Sequence, residues 1–555
     1  MSSAHRRKLP IGIQTFSDIR EGGYYYVDKT PFIERLANQN KYYFLSRPRR
    51  FGKSLLLDTL RCLFEGRQAL FEGLYIHDRW DWEQAHPVIR LSLSSGRPNS
   101  PEALDALLHH QLCQNYCKLG IEMPAEAHDA AFLLSLLVRE TYHVTGRQAI
   151  VLIDEYDQPI QNVLGHKSLA LSMWQKLLAF YSALKDADPY LHFVMLTGVG
   201  RYATAEALSG GLDMLVDISF SPEYAEICGF TDAEITSFLP DFEAHQHEIL
   251  RQWFGGHRFS FHGPDLYNPD DIFGWTQAQI IAPHWFEANF SSYLDVEAIE
   301  SSEPKDPRFQ VWAVPRSLWQ LVIHNGAAVL SGQVRAPSTT FQRHDTLTWS
   351  SLSPLLEAGW LTLLNEEAPT SCLNVWTLGI PNLAIKSSLS EMLLDVLLGD
   401  KHAGVHFQRE LAAILKANDL ASLDAHFKAL YADLPHDWYR NELKNMPIAQ
   451  YESHTFSQVY ASVFYSHFAA LGVNVTVEDA SHRGKVDMSV DFGGHIYLFE
   501  FKVVEQLPEG KAPEQIKAKD YADKHRASGK PIHLIGVEFS SAKRQIVAFD
   551  VETLG

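Results

Sequence analysis

Two short stretches of this sequence contain residue types that can bind a phosphate group and a metal ion. In "FLSRPRRFGKSLLLDTL", residues 44–60, Gly52, Lys53 and Ser54 follow one another as they do at the end of a phosphate-binding loop. Such a lysine reaches the outer phosphates of a nucleotide, and the hydroxyl holds Mg²⁺. The first glycine of the loop template falls on position 47, which is arginine. The motif alone therefore leaves two interpretations open, a phosphate site and an ordinary basic helix start.

The residues around Lys53 predict the elements that such a site needs. "KYYFLS" predicts a strand, "RPRRF" a loop, and "GKSLLLDTLRCLF" a helix with one apolar face. The N-terminus of a helix binds anions because its free N–H groups converge there. Arg47 and Pro48 can turn the chain without the glycine where their backbone angles permit, since the proline ring fixes one of them.

The second stretch, "AIVLIDEYDQPI", covers residues 149–160. Its apolar run followed by two acids predicts a central parallel strand with Asp154 and Glu155 at its carboxyl end, where ligands of open α/β sheets collect. In nucleoside triphosphatases one acid at this place holds Mg²⁺ and the next can activate the attacking water. The alternative is that the two carboxylates only cap the strand, but it fits poorly with so apolar a run.

A third stretch, "HFVMLTGVGRY", predicts another buried strand that ends near Thr197 and Arg201. A polar residue at the end of a neighbouring strand can sense the γ-phosphate, and an arginine shortly after it can offset charge in the transition state. Arg201 could equally pair with a surface acid. We expect the nucleotide-binding set to comprise Arg49, Arg50, Gly52, Lys53, Ser54, Asp154, Thr197 and Arg201, with Glu155 as the catalytic acid.

Near the C-terminal end, "GKVDMSVDFGGHIYLFEFK", residues 484–502, predicts two paired strands joined by a turn. Side chains alternate along a strand, so Glu500 and Lys502 share one face, and Asp487 can reach them from the adjoining strand. Two carboxylates beside a lysine suit a Mg²⁺ site that cuts phosphodiesters. The alternative is a Glu–Lys pair facing solvent on an edge strand, but the flanking apolar residues favour a central strand.

Length and patterning predict several domains. A chain of 555 residues exceeds what one hydrophobic core usually organises. Strand-like runs such as "KYYFLS", "PVIRLSLSS" and "AIVLIDEYD" alternate with longer periodic stretches, which is typical of a parallel sheet covered on both faces. We therefore predict an α/β domain over residues 1–290, a mostly helical region over 291–445 and a small separate α/β domain over 446–555.

Charge and hydropathy limit the classes of partner. The net charge of −19 opposes non-specific binding along a polyanion, although the segment after residue 450 is nearly balanced and is the better candidate to meet nucleic acid. The start of the chain lacks the apolar run of a secretion signal, and no stretch reaches about 18 uninterrupted apolar residues. Five scattered cysteines argue against a disulfide framework. We predict a cytoplasmic protein without membrane contact.

Taken in order, several strings resemble a bacterial AAA-ATPase-like family whose members commonly end in a PD-(D/E)xK nuclease-like domain. These strings are "LPIGIQTFSDIREGGYYYVDKTPFI", "RPRRFGKSL", "VLIDEYDQPI", "LTGVGRY", "ICGFT" and "LYNPDDI". In that family the phosphate loop itself reads R-P-R-R-F-G-K-S, so the resemblance favours a phosphate site despite Arg47. Tyr26 and Asp28 belong to a signature of the family whose role the sequence does not give.

The resemblance implies a P-loop NTPase domain of AAA-like fold and a restriction-endonuclease-like C-terminal domain, with ATP and Mg²⁺ as cofactors. The spacing from Asp487 to Glu500 and Lys502 matches the nuclease fingerprint. Glu452 resembles the additional acid that many members carry on a preceding helix, and Gln515, Lys517 and Lys519 match a helix of relatives. By this likeness the metal residues would be Ser54, Asp154, Glu452, Asp487 and Glu500. Assembly into homo-oligomers is also implied, since ATPases of this type often assemble.

Three functions remain open on the sequence alone. The first is an ATP-regulated, Mg²⁺-dependent nuclease acting on DNA or RNA. The second is a nucleotide-switched binding protein whose nuclease fold is catalytically inactive. The third is a plain metal-dependent nuclease in which the phosphate loop is only a structural anion site. A fold does not prove turnover, so the three differ in activity rather than in architecture.

Overall fold

A computed structural model gives the architecture of the protein. It describes all residues except 1–7, 125–128, 164–166, 202–213, 241, 279–333, 338–352, 368–373, 399–402, 433–462, 482–483, 511, 513, 516–521, 541, 544 and 555. The chain divides into two compact units, one of Met1–Glu303 with Arg335–Asn382 and one of Pro304–Val334 with Leu383–Gly555. The division at residues 290 and 445 that the sequence suggested stays a prediction.

The first unit is built around a five-stranded parallel sheet. Its strands are β1 Tyr42–Ser46, β2 Val88–Ser92, β3 Ala149–Asp154, β4 Leu191–Gly198 and β5 Val216–Asp217. Their order across the sheet is β2-β3-β4-β1-β5, and every paired neighbour runs parallel. Because β4 lies between β1 and β3, it separates the strand before the phosphate loop from the strand that ends at Asp154.

Helices cover both faces of this sheet, as the apolar strands predict. Alternate residues of β3 enter two different cores: Val151 packs with helical residues within 104–116, 130–138 and 170–184, and Leu152 packs with helical residues within 56–64. The helices of the unit are α1 Phe16–Glu21, α2 Thr30–Gln39, α3 Lys53–Phe64, α4 Pro101–Leu119, α5 Ala130–Thr145, α6 Gln158–Gln161, α7 Lys167–Asp186, α8 Asp232–Phe238, α9 Ala244–Phe254 and α10 Pro269–Ala278. Short 3₁₀ turns lie at Gln68–Phe71, Asp188–Tyr190 and Pro222–Tyr224.

Two smaller sheets and one further helix complete the first unit. β6 Phe230–Thr231 pairs with β7 Leu266–Tyr267, and β10 Val375–Gly379 lies between β8 Val334–Pro337 and β9 Thr362–Glu367. Helix α11 covers Ser353–Glu357. The described residues of the middle region, 291–445, are mostly helical, as predicted, but the sheet of β8, β9 and β10 was not anticipated.

The second unit joins helices to a five-stranded sheet. Its helices are α12 Leu383–Leu398, α13 Ala403–Ala417, α14 Leu420–Ala432 and α15 Asp523–Arg526, and residues 463–470 are also helical. Its strands are β11 Asn474–Ser481, β12 Gly484–Phe492, β13 His495–Val504, β14 Ile532–Ser540 and β15 Gln545–Leu554, in sequence order across the sheet. β13 and β14 run parallel, whereas the other neighbours run antiparallel.

The predicted hairpin between β12 and β13 is confirmed. Its turn is made by Gly493 and Gly494, which have φ values of 60° and 82°, a left-handed conformation that glycine adopts without strain. β13 is the central strand of the sheet, and its alternate residues enter different cores, Phe499 on one face and Leu498 on the other. The edge-strand interpretation of Glu500 and Lys502 is therefore wrong.

None of the helices among the described residues has the length and apolar character needed to cross a membrane.

One buried carboxylate ties the helix of the phosphate loop to two other elements. Asp58 on α3 is 1% exposed; its Oδ1 accepts from Arg61 Nε at 2.9 Å and from Arg90 Nη1, in the middle of β2, at 2.6 Å. Its Oδ2 accepts from the backbone N–H of Phe16, at the start of α1, at 2.8 Å. Asp58 thus fixes α1 and β2 against α3.

We expect Asp58→Asn to lower the free energy of unfolding by about 3 kcal/mol, because it leaves the Arg61 and Arg90 cations around a neutral group. Calorimetry should show the melting transition of the first unit lowered by several degrees. Asp78→Asn is the control, since the Asp78 side chain is 89% exposed and should leave the transition in place. Equal melting temperatures for the two variants would contradict the role given to Asp58.

Candidate functional site

Most of the predicted nucleotide residues line one cavity of the first unit, with a volume of about 630 Å³, whereas Thr197 and Arg201 are not part of its lining. This is within the usual range for a small-molecule site, about 300–1,000 Å³. The cavity brings together Arg49, Arg50, Gly52, Lys53, Ser54, Asp154 and Glu155. Side chains from the N-terminal stretch, from the end of β2 and from residues 227–230 and 269–273 complete the wall. The two motifs that the sequence placed about a hundred residues apart therefore face one space.

The loop before α3 has the backbone of an anion-binding concavity. Arg50 and Gly52 have φ values of 64° and 102°, both in the left-handed region, and α3 begins at Lys53. Alternating conformations of this kind point successive N–H groups inward. Glycine is needed at 52 for this backbone angle rather than for space, because a Cβ there would meet nothing within 4 Å.

Lys53 is held inside this loop by the loop itself. Its Nζ donates to the carbonyl oxygens of Arg47 at 2.8 Å and Pro48 at 2.9 Å, and the residue is 5% exposed. Burial lowers the pKa of the amine, and the negative charges of Glu155 and Asp154 oppose that shift. A buried ammonium group that faces two carboxylates across a cavity is a strong centre for binding an anion together with a cation.

Arg47, which replaces the first glycine of the template, is a structural residue. It is 1% exposed, and its guanidinium donates to the backbone carbonyls of Ser46, Ser219, Tyr224 and Ala225 at 2.6 to 3.3 Å. It also lies 4.0 Å from the centroid of the Phe259 ring. Burial lowers its pKa to about 10, so the group stays charged at neutral pH. The arginine therefore anchors the loop to residues 219–225 and does not line the cavity.

The other two loop arginines line the cavity. Arg49 Nη2 donates to Gln161 Oε1 at 2.8 Å and to Gln158 Oε1 at 3.3 Å. Arg50 Nη1 lies 3.9 Å from Asp270 Oδ1. The side chain of Asn268, which is fully buried, donates to the carbonyl of Arg49 at 3.1 Å. The "LYNPDDI" stretch therefore braces the loop, a role that the sequence did not give to it.

At the end of β3, Asp154 is hydrogen-bonded to the neighbouring strand β4, and Glu155 has an unusual backbone conformation. Thr197 Oγ1, at the end of β4, donates to Asp154 Oδ1 at 2.9 Å, and both residues are buried. Glu155 follows with a φ of 52°, a conformation that costs a residue with a side chain about 1–2 kcal/mol. Strain of this kind is common at functional sites, and here it turns the chain immediately after the strand.

Arg201 lies away from the cavity wall. Its guanidinium donates to Asp217 Oδ2 at 3.0 and 2.6 Å and stacks 4.9 Å from the Phe220 ring centroid. Its backbone N–H donates to Glu357 Oε2 at 3.2 Å. The geometry matches the alternative that the sequence left open, a pairing with an acid.

Asp157 is a buried acid beside the site that the sequence analysis missed, although it does not line the cavity. Its carboxylate accepts from the backbone N–H of Gly200 at 2.6 Å and of Val199 at 3.3 Å, just after β4. Burial raises its pKa to about 6, although the Gly200 N–H and Lys53 oppose the shift. A Cβ at Gly198 would collide with this carboxylate and with the Tyr156 ring. The signal was the third acid of "DEYD", beyond the strand end.

The "YVDKT" signature closes the cavity from the N-terminal side. Lys29, which lines the cavity, donates from Nζ to both oxygens of Glu234, at 2.6 and 2.9 Å. Glu234 also forms the capping box that starts α8. Asp28 accepts from the backbone N–H groups of Thr30 and Tyr75 at 2.9 and 2.7 Å. The signature thus fixes α2 to the "ICGFTDAE" segment.

In the second unit the predicted nuclease residues meet on β12 and β13. Glu500 is fully buried; its Oε1 accepts from Lys502 Nζ at 3.0 Å and from the side-chain amide of Gln515. Asp487 Oδ2 accepts from the backbone N–H of Phe501 at 2.7 Å, which brings this carboxylate to the same stretch of β13. The predicted acid Glu452, with Lys517 and Lys519, lies outside the described residues.

Glu538 on β14 is a second residue that the sequence analysis missed. It pairs in register with Lys502 and is fully buried. Its Oε2 accepts from the backbone N–H of Glu509 at 2.6 Å, and its Oε1 accepts from that of Ala512 at 3.2 Å. Glu538 thus anchors the chain immediately before Gln515. A single buried acid on a late strand gave no recognisable motif in the sequence.

Comparison with known proteins gives the family. Residues 10–207 match a family model described as "Predicted AAA-ATPase", and residues 455–549 match the model of the PD-(D/E)XK nuclease superfamily. A relative from Azotobacter chroococcum mcd 1, described as an uncharacterized protein in the vnfD 5'region, is 40% identical over 552 residues, which is 99% of this chain and 100% of the relative. The chain belongs to the AAA-ATPase-like family, and it carries a PD-(D/E)XK nuclease-superfamily domain.

One solved structure aligns with a large part of this AAA-ATPase-like protein. The crystal structure of Cdc6p from Pyrobaculum aerophilum covers 71% of this chain and 96% of its own, at 14% identity and a TM-score of 0.24. A score this low carries no argument about the fold, which rests on the sheet order and on the family models.

The donor atoms of both sites fit Mg²⁺. Hydroxyl and carboxylate oxygens are its preferred protein ligands, and it usually keeps several waters and takes only one or two carboxylates. Ser54 and Asp154 supply such oxygens at the nucleotide cavity, and Asp487 and Glu500 supply them in the nuclease-like domain. Within the described part of the chain, no group of three or more His, Cys, Asp and Glu could hold a metal ion.

We expect Arg47→Gly, which restores the glycine of the template, to lower the free energy of unfolding by about 3 kcal/mol or more. The change removes a buried side chain and leaves the carbonyls around it without their donor. Urea unfolding of the first unit measures it. Arg35→Gly, at a helix-surface arginine that donates to the carbonyl of Glu223 and lies over the Phe32 and Tyr224 rings, serves as the comparison and should cost less. An Arg47→Gly protein of unchanged stability would contradict the role given to Arg47.

Proposed function

We propose that this AAA-ATPase-like protein binds and hydrolyses ATP at the cavity of its first unit, and that the nucleotide regulates a Mg²⁺-dependent nuclease in its C-terminal domain. The observation that carries the proposal is the buried Lys53 amine in a phosphate-binding loop, facing Asp154 and Glu155 across one cavity. The matches to an AAA-ATPase family model and to a nuclease superfamily model support it.

In the ATPase half, each residue has a part that its position supports. Lys53 binds the outer phosphates, while Ser54 and Asp154 hold Mg²⁺, which when bound neutralises phosphate charge. Glu155 orients and deprotonates the attacking water. Thr197, which is hydrogen-bonded to Asp154, would act through that carboxylate. Arg201 can act on the transition state only after it leaves Asp217.

In the nuclease half, Asp487 and Glu500 would hold a Mg²⁺ ion, which would supply a bound water of lowered pKa. Lys502 orients the attacking water or helps to activate it. The substrate is DNA or RNA, bound at the C-terminal domain, where the sequence is closer to neutral than the chain as a whole. A cytoplasmic location and assembly with further copies stay predictions from the sequence.

A second candidate is a nucleotide-switched binding protein with an inactive nuclease fold. The observation that favours it is that the two described metal carboxylates of the three predicted there hydrogen-bond to groups of the protein, Asp487 to the Phe501 N–H and Glu500 to Lys502 and Gln515. In that case the domain would hold nucleic acid or a partner without cutting it, and ATP would set the affinity.

The test is cleavage of plasmid, single-stranded DNA and RNA by the purified chain, with and without ATP and Mg²⁺. We expect cleavage that needs Mg²⁺ and that changes with ATP. If a protein shown to bind ATP cuts none of the three substrates under any condition, the nuclease proposal fails and the binding-protein candidate is favoured.

We expect Glu155→Gln to bind ATP as the wild type does but to hydrolyse it at least about 100-fold more slowly, because the variant loses the general base. Lys53→Ala should instead abolish binding, since the phosphate loop loses its cation. Fluorescence titration and phosphate release measure the two properties. Glu72→Gln, an exposed acid, is the control. Equal hydrolysis by Glu155→Gln and the wild type would remove Glu155 from catalysis.

We expect Lys502→Ala to abolish nucleic-acid cleavage while ATP hydrolysis stays within about twofold of wild type, because its effect is confined to the nuclease chemistry. Lys530→Ala, which removes a lysine paired with Asp491 at the opposite end of the strands, is the matched control and should still cleave. If cellular activity survives Lys502→Ala but not Lys53→Ala, the switched binding protein is the better description.

A further inference from the structure

A line of hydrogen bonds runs from the phosphate-binding loop to the segment that follows β4. It starts at Arg49, which lines the cavity, and passes through Gln161 at the end of α6 to Asp157. From Asp157 it continues to the backbone N–H groups of Gly200 and Val199. Each step has a length of 2.6 to 3.3 Å.

Gln161 is the centre of this line, and its orientation is fixed by chemistry. Its Oε1 accepts from Arg49 Nη2 at 2.8 Å, and its Nε2 donates to Asp157 Oδ2 at 2.6 Å. A guanidinium can only donate and an ionised carboxylate can only accept, so the amide satisfies both neighbours in one orientation alone. The residue is 3% exposed, and water therefore does not compete for either contact.

We propose that Arg49, Gln161 and Asp157 couple the occupant of the phosphate site to the segment after β4, with Gln161 as the positioning residue between them. This inference rests on the proposed ATPase function, and it assigns a means of regulation to the same site.

The physical basis is a competition for Arg49. In this structure its guanidinium donates hydrogen bonds to the neutral amide oxygens of Gln161 and Gln158. A phosphate oxygen is a stronger acceptor, because the hydrogen bond is then charge-assisted and can be bidentate. A nucleotide whose outermost phosphate reaches Arg49 draws it away from Gln161, and the amide loses the donor that fixed its orientation.

The consequence is a weaker hold on the segment after β4. Asp157 loses the partner that keeps its carboxylate against the Gly200 and Val199 N–H groups. The next residue, Arg201, is tied to Asp217 at the end of β5 and, through its backbone, to Glu357 of α11. A weaker hydrogen bond at the Gly200 N–H therefore also affects the neighbouring ion pair of Arg201 and Asp217. That ion pair must open before Arg201 can act on phosphate.

Helix α6 itself supplies a matched control. Gln158 and Gln161 both contact Arg49, but only Gln161 contacts Asp157; the Gln158 amide nitrogen donates to Asn162 instead. Replacing each with methionine removes one Arg49 contact at similar volume. Only Gln161→Met removes the hydrogen-bonded connection between Arg49 and Asp157.

The experiment is amide hydrogen exchange of the peptide that spans residues 197–201, with ADP and with the non-hydrolysable analogue AMP-PNP, each with Mg²⁺. In the wild type and in Gln158→Met, we expect exchange about tenfold faster with AMP-PNP than with ADP, the change that losing one charge-assisted hydrogen bond gives. In Gln161→Met, exchange should be fast and equal with both nucleotides.

The same exchange rate with both nucleotides in the wild type overturns the coupling, whether or not the variants fold. A nucleotide response that survives in Gln161→Met removes Gln161 from it. Both results would leave the ATPase proposal standing if the protein hydrolyses ATP. If it binds neither nucleotide, the proposed function and the coupling fail together.

Discussion

The whole arrangement of the first unit depends on keeping one ammonium group out of water. The buried amine of Lys53 has lost its hydration shell. In its place it donates hydrogen bonds to two carbonyls of its own loop and interacts with the negative charges of Asp154 and Glu155 at the end of β3. Burial of an unpaired cation would cost several kcal/mol, so the buried amine needs both the carbonyls of Arg47 and Pro48 and the nearby carboxylates. The positions of β1, α3 and β3 are therefore linked by charge as well as by packing.

Much of this could be predicted from the sequence, because it depends on local pattern. The apolar runs of β1, β3 and β4, the helix that starts at Lys53 and the shared face of Glu500 and Lys502 follow from the periods of strands and helices. The acids of "IDEY" follow from the rule that parallel strands carry ligands at their carboxyl ends.

The rest could not be predicted, because it depends on contacts between distant parts of the chain. The partners of Arg47 lie 172 to 178 residues later, apart from the carbonyl next to it. Glu538 belongs to no motif, Asp157 is only the third acid of "DEYD", and only the folded chain shows which backbone groups the two acids bind. The sheet of β8, β9 and β10 and the strand β15 were missed for a related reason: strand pairing decides whether such segments are extended, and pairing is not local.

The enclosure of Arg47 also limits how this family can change over time. Its guanidinium is surrounded by carbonyls from two stretches of chain, the end of β1 and residues 219–225, and an aromatic ring covers it. An insertion or deletion in either stretch would shift those oxygens away from the cation. We therefore expect length variation among relatives to accumulate in other loops, while the spacing within these two stretches stays constant.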